Sequence, residues 1–290
     1  MKTLTLTNLS LVLIIAVLYW LVNLPEQTSP KQAVLSKISV NDINTITIQR
    51  QNRDEIQLLK KEGLWFIQQP IQAAANQTRI KLLLNLLSQS SYSQYEINSK
   101  YELQQFDLEP ASLILKMNQH TFSFGSTENL SQRRYIEHQG IIHLIDDTIS
   151  PLLNSTATSF IDNRLFSDHL QINQLQLPLL TNNPITELET ITINMEDGHW
   201  NSDYPTSADK LSTLIDNWQH AYALQVSVVK DKQSSQDTAH KLFVSFAGVD
   251  EKMELLLHIH KSTFTLTNPL SQLQYHFPLA TIHQLFINKE

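Results

Sequence analysis

One unit of sequence occurs twice and limits what this chain can fold into. "EGLWFIQQPIQAAANQTRIKLLLNLL" fills residues 62–87, and "DGHWNSDYPTSADKLSTLIDNW" fills residues 197–218. In each, a tryptophan stands five residues before a proline, Trp65 with Pro70 and Trp200 with Pro205, and the tryptophans are 135 residues apart. "LWFIQ" (64–68) reads as a strand that Pro70 ends, because proline cannot donate to a ladder. A helical stripe follows each proline. Ile80, Leu83, Leu84 and Leu87 fall at i, i+3, i+4 and i+7, with Asn76 placed as N-cap. Leu211, Leu214, Ile215 and Trp218 repeat the stripe, with Thr206 and Asp209 spaced as a capping box. Pro70 precedes Ile80 by 10 residues, whereas Pro205 precedes Leu211 by 6. That difference, about one helical turn, reads as a change of loop length.

The flanks repeat as well. "INTITIQR" (43–50) alternates apolar and polar residues over a β-branched run, and "LETITINM" (188–195) reads as its counterpart. "EIQLLKK" (55–61) follows the first across "QNRD", and "LWFIQ" comes next across "EG". After the helices come "YSQYEI" (92–97) and "YALQVSVV" (222–229). Hairpin strands succeed them: "SLILKM", "TFSFG", "RRYIEH" and "IIHLID" in one half, "KLFVSFAG", "MELLLHIH", "STFTLTN" and "LQYHF" in the other. "TISPLLN" (148–154) and "LATIHQLF" (279–286) close the halves. "DHLQINQLQLPLLTNNP" (168–184), with one proline inside and one at its end, reads as the boundary. Each tryptophan is expected to seal its helix onto its sheet.

Residues 4–24, "LTLTNLSLVLIIAVLYWLVNL", carry no charge. As a helix they reach roughly 31 Å, the thickness of a hydrocarbon core. Signal peptidase favours small A-x-A residues, whereas Tyr19, Trp20, Leu21 and Val22 stand at that place and suit an interfacial aromatic belt. A retained anchor is therefore expected rather than a cleaved signal. Lys2 precedes the span and Glu26 is the first charge after it, which places the N-terminus in the cytoplasm and the remainder across the membrane. "PEQTSPKQAVLSK" (25–37) is polar and twice interrupted by proline, as a tether should be. The expected fold class is α+β: an N-terminal transmembrane helix followed by two tandem, duplicated antiparallel-sheet-plus-helix lobes. The divisions are 1–24 anchor, 25–40 linker, 41–165 first repeat, 166–185 connector and 186–290 second repeat.

Composition narrows the chemistry. A net charge of −7 argues against nucleic acid, which needs a basic face. The absence of cysteine removes disulfides, thiolate metal sites, cysteine nucleophiles and a lipoprotein anchor. Five glycines in 290 residues fall below the usual ~7%, and neither GxGxxG nor GxxxxGK[ST] occurs, so no nucleotide is expected.

The order "INTITIQR…EIQLLKK…GLWFIQQP…AAANQTRIKLLLNLL", then "FDLEP…SLILKM…FSFG…RRYIE…IHLID…FIDNRLF", resembles the family known as domain of unknown function 4340. The likeness runs over about residues 40–166 and more weakly over 186–290, and "FDLEP" (106–110) lacks the glycine often found before its leucine. The resemblance implies a membrane-anchored protein of the bacterial inner membrane that faces the periplasm, in some cases beside ABC-type transport systems. It implies no activity and no catalytic residues.

Several side chains invite a functional reading. His258 and His260 stand i, i+2 on a strand and can turn both rings one way, with His276 or His283 as a distant third ligand. A solvated pair on an antiparallel strand explains them as well, and no metal is expected. Asp146 and Asp147 suit capping of the segment after them better than acid–base catalysis. Asp162 and Arg164 suit an ion pair. Arg133 and Arg134, beside Tyr135, suit a charged edge strand that resists aggregation. No GxSxG elbow raises a hydrolase. No catalytic, cofactor-binding or metal residue is therefore assigned, and no cofactor. The expected role is a non-enzymatic accessory or interaction module of an envelope transport or assembly system, engaging a membrane or periplasmic protein such as an ABC-type transport system. Its strands "STFTLTN" and "LQYHF" are expected to offer a pairing edge. The alternative is a periplasmic hydrolase or glycan-binding module.

Overall fold

The computed structural model describes residues 13–16, 19, 33–97, 100–180, 189–229 and 239–289. The span 4–24 read as a membrane anchor lies mostly outside them. Among the described residues no helix is long and apolar enough to cross a membrane.

The first half runs β1 (Ala33–Val34), β2 (Thr45–Arg50), β3 (Ile56–Lys61), β4 (Leu64–Gln69), β5 (Ala73–Ala74), α1 (Gln77–Leu84), β6 (Ser90–Ser91), β7 (Ser93–Glu96), α2 (Lys100–Gln105), β8 (Leu113–Met117), β9 (His120–Thr127), β10 (Arg134–His138), β11 (Ile141–Ile145) and α3 (Ser150–Leu153). The second runs β12 (Ile172–Pro178), β13 (Thr190–Glu196), β14 (His199–Ser202), α4 (Ala208–Gln219), β15 (Gln225–Val228), β16 (His240–Phe246), β17 (Met253–Ile259), β18 (Thr263–Asn268), β19 (Leu273–Pro278) and α5 (Ile282–Leu285). Antiparallel pairing dominates and the helices are few, so the fold is α+β.

Two large sheets result. One has the order β5-β4-β3-β2-β8-β9-β10-β11-β7, the other β14-β13-β12-β16-β17-β18-β19-β15. Strand for strand the orders coincide, β2 with β12, β3 with β13, β4 with β14 and so on to β7 with β15. Among the described residues only β5 has no counterpart. "LETITINM" therefore matches β3 rather than β2, a correction to the pairing expected from its alternation. The true counterpart of β2 is β12, inside the span 166–185 read as a connector. Its sequence, "INQLQLP", alternates well enough for a strand, but its terminal proline and the neighbouring Pro184 resemble a boundary. Pro178 is the last residue of β12, where a missing N–H is tolerated.

Each sheet buries one face under its helix. Ile46, Ile48, Ile56, Leu58, Leu115 and Phe122 meet Ile80, Leu83 and Leu84 of α1 in the first core. Leu175, Leu177, Ile191, Ile193, Val244 and Leu257 meet Leu211, Leu214, Ile215 and Trp218 of α4 in the second. The helices thus occupy equivalent faces. Asn76 caps α1, its side chain accepting from Arg79 N at 3.1 Å. Ser207 caps α4, accepting from Lys210 N at 3.3 Å, in place of the expected Thr206–Asp209 box. The helix begins one residue later than that box requires.

Matching turns join the Trp strands to their neighbours. Glu62 and Gly63 have φ of 51° and 84°, and Asp197 and Gly198 have 49° and 81°. Positive φ at both centres is the type I′ turn that suits the twist of a two-residue hairpin. Elsewhere a glycine serves close approach. A Cβ at Gly125, the end of "FSFG", would lie 2.1 Å from the carbonyl oxygen of Phe106, the first residue of "FDLEP". The two motifs touch, so Gly125 tolerates no side chain. The linker expectation is shortened too, because β1 pairs with β6 and Leu35 is buried in the first core.

Candidate functional site

The outer edge of the Trp strand is where the halves differ. In the first, Trp65 is 5% exposed and its backbone groups point away from β3. Gln77 Oε1 accepts from Trp65 N at 3.1 Å, while Gln77 Nε2 and Ala75 N donate to Trp65 O at 3.1 and 2.9 Å. Beyond, β5 pairs with β4, Ala73 opposite Ile67. A third layer follows, with Asp162 N donating to Ala74 O at 2.9 Å and Asn76 N to Phe160 O at 2.7 Å. The outward backbone of Trp65 is thus bonded and Ile67 is paired.

The second half carries no such cover among the described residues. β14 ends its sheet. Trp200 stands opposite Met195 as Trp65 stands opposite Lys60, so it also turns its backbone outward. Trp200 is only half-buried, and no described residue bonds the outward groups of Trp200 or Ser202. The cause is visible in chain length. From Ile67, the counterpart of Ser202, eight residues (68–75) lead to the Asn76 cap in a path that includes β5, whereas four (203–206) lead from Ser202 to Ser207. The longer path gives room for the edge strand β5. Beside the open edge lies a groove of about 850 Å³ lined by Tyr204, Pro205, Asp209, Lys210, His283 and Phe286. Asp209 lines it, and exposed carboxylates flank β14 in the chain, Glu196 and Asp197 before it and Asp203 after it.

The segment "FIDNRLF" splints the halves. Asp162 N bonds the first half as above. Leu165 N donates to Ala221 O at 2.9 Å, Ala223 N to Asn163 O at 2.8 Å, and Asn163 Nδ2 to Ala223 O at 2.8 Å. Arg164 forms an ion pair with Asp162, Nη2 to Oδ2 at 2.6 Å, and with Asp168. These carboxylates raise the guanidinium pKa further, so the pair stays charged. Val226 and Leu273 of the second half enter the first core. A cavity of about 180 Å³ remains at the seam, bordered by Trp65, Gln77, Arg164 and Tyr275. Burial, then the Asp162 charge, pushes the Tyr275 hydroxyl up to about 12, so it is a neutral donor.

The other residues singled out by sequence sort into structural roles. Arg133 meets Asp146 at 3.0 Å and lies 3.3 Å over the Tyr92 ring, while Tyr92 donates to Asp146 at 2.8 Å. Arg134 meets Asp147 at 2.6 Å, and Asp147 accepts from Ser150 N at 3.1 Å, capping α3. The two arginines and two aspartates thus form one cross-strand cluster on β10 and the end of β11. β10 is interior to its sheet, which corrects the reading of these arginines as guarding an edge. β18 and β19 are interior as well, so "STFTLTN" and "LQYHF" offer no free edge.

His258 and His260 hold their rings nearly parallel, 6.5 Å between centroids. His276 lies close by but bonds Ser227 Oγ at 2.7 Å, and His283 bonds Asn288 at 3.1 Å. Burial, with His260 near, lowers the His276 pKa. Among the described residues no three His, Asp or Glu side chains converge to hold a metal ion. Sequence reasoning missed the open edge. The signal for it was the four-residue difference between the repeats, which had no meaning until β5 was seen to fill it.

The fold and its edges define a two-sheet α+β protein with backbone, rather than reactive side chains, presented at its most distinctive surface. The chain belongs to the family described as Domain of unknown function (DUF4340), whose model matches residues 65–240. The match crosses the seam and takes in the open edge. Neither the curated proteins nor the solved structures give a match.

Proposed function

We propose that the chain is a membrane-anchored interaction module, tandemly duplicated, whose second half engages a protein partner through the edge of β14. The observation that carries this reading is the contrast between two equivalent edges, one covered in three layers and one open. An unpaired edge is a template for another strand, and folded proteins do not leave one uncovered without a device or a use for it. A small substrate would need convergent side chains instead, which favours an accessory role over a hydrolase or glycan-binding module. Shared strand order, shared I′ turns and equivalent helix faces support the duplication.

The anchor reading rests on the uncharged span 4–24, and residues 13–16 within it are helical, with Leu13, Ile14 and Ile15 exposed. Tyr19 is exposed as well. Orientation with the bulk of the chain in the periplasm follows from Lys2 and Glu26 by the positive-inside rule. A tether raises the local concentration of a co-resident membrane partner, so a weak edge interaction is enough for occupancy. An envelope transport or assembly system, such as an ABC-type one, is the class of partner this arrangement serves. To test it, a photo-crosslinking residue is placed at position 199 in the anchored chain and in residues 25–290 released to the periplasm. A crosslinked partner recovered from the anchored form and largely lost from the released form supports the reading. Equal recovery from both sinks the need for an anchor.

A further inference from the structure

The first half displays, in the same molecule, what covers this edge when it is covered. There an extended run of small residues, Ala73, Ala74 and Ala75, lies antiparallel to β4, and Ala75 is fully buried between Trp65 and Ile161. Ile67, the partner of Ala73, corresponds to Ser202, and Trp65 to Trp200, each by the same offset. The groove on the second half lies past the end of β14, between residues 204–206, α4 and residues 283–288. The ends of β14 are acidic, with the exposed Glu196 and Asp197 before it and Asp203 after it. A second copy of β14, related by a two-fold axis, would set these carboxylates against themselves, and like charges facing across strands destabilise the pair.

We propose that the outer edge of β14 binds an extended segment of another protein, small in its central side chains and basic at its flanks, which pairs antiparallel with Trp200 and Ser202. This deepens the reading of the chain as an interaction module and rests on it. Trp200 and Ser202 supply main-chain donors and acceptors, the first half's Ala73–Ala75 cover sets small residues at the centre, and the acidic ends of β14 select lysine or arginine on either side.

The test uses the purified full-length chain in detergent and a fluorescein-labelled peptide, KKIQAAANKK, which carries the first half's own cover between basic flanks. Binding is read by anisotropy. The expected result is saturation with a midpoint below about 1 mM. An N-methylated form of the peptide, unable to donate at alternate amides, should bind at least about tenfold more weakly. Ser202→Pro removes an outward N–H that the sheet itself does not use, and should weaken binding similarly. In a second variant, residues 203–206 are replaced by residues 68–75, giving the second half its own edge strand. It should lose binding while its thermal unfolding shows that it folds. Absence of saturable binding, or equal binding to the native chain and both variants, overturns the proposal. So does a concentration-dependent dimer abolished by Ser202→Pro but indifferent to the peptide, which would name a second copy as the occupant. Each of these outcomes leaves the anchor test at position 199 standing, so the two readings fail separately.

Discussion

Trp65 and Trp200 take the same place in their strands and differ in what lies over them, so their energetic weight should differ. Truncating the buried Trp65 to alanine should cost about 3–5 kcal/mol, the range for a large aromatic in a core. Trp200→Ala, only partly buried against the second core, should cost less, about 1–2 kcal/mol. Urea denaturation of the two variants measures both, and equal losses would mean that the second edge is covered after all. His143 adds a dependence on pH. It is buried beside Ser91, bonding its hydroxyl at 3.1 Å, and desolvation, then the nearby His138, lowers its pKa to about 4. In the unfolded chain the same ring titrates near about 6.5. Between those values the unfolded state binds more protons, so stability is whole above about pH 6.5 and falls as the pH drops towards about 4. The loss should reach at most about 3 kcal/mol, and His143→Gln should flatten that part of the stability curve.

The helices test the equivalence of the halves. Asn76→Ala and Ser207→Ala should each cost about 1 kcal/mol, as lost N-caps do, whereas Thr206→Ala should cost less than about 0.5 kcal/mol. Thermal melts decide it; a larger effect at Thr206 would restore the capping box. Much of this level was legible in the sequence. Period-2 runs marked β2 and β13, the 3.6-period stripes marked α1 and α4, and the "EG" dipeptide marked the turn between β3 and β4. What failed to show was the identity of β12. A strand that ends in proline and sits beside a second proline carries the local marks of a boundary, and only its two neighbours in the sheet make it central. Cross-strand pairing was equally hidden. Arg133 with Asp146 and Arg134 with Asp147 come together through the β10–β11 register, which no spacing along the chain encodes.

At the scale of the molecule, the seam makes the two halves one cooperative structure. Val226 and Leu273 lie in the first core, and "FIDNRLF" bonds backbone on both sides. Leu273→Ala should therefore lower the stability of both halves together, by about 2–5 kcal/mol, with a single unfolding transition by fluorescence and by circular dichroism. Two separated transitions would mark the seam as weak. The candidate site was half legible at this scale: the repeat and its four-residue difference could be read, but that the difference makes room for an edge strand could not. The central claim is that two equivalent sheets differ by one uncovered edge. Amide hydrogen exchange on the intact chain tests it most directly, because an amide in a sheet ladder is protected and one facing water is not. Trp200 and Ser202 should exchange at least about 100-fold faster than Trp65 and Ile67. Matching protection at the two pairs of positions would contradict the account.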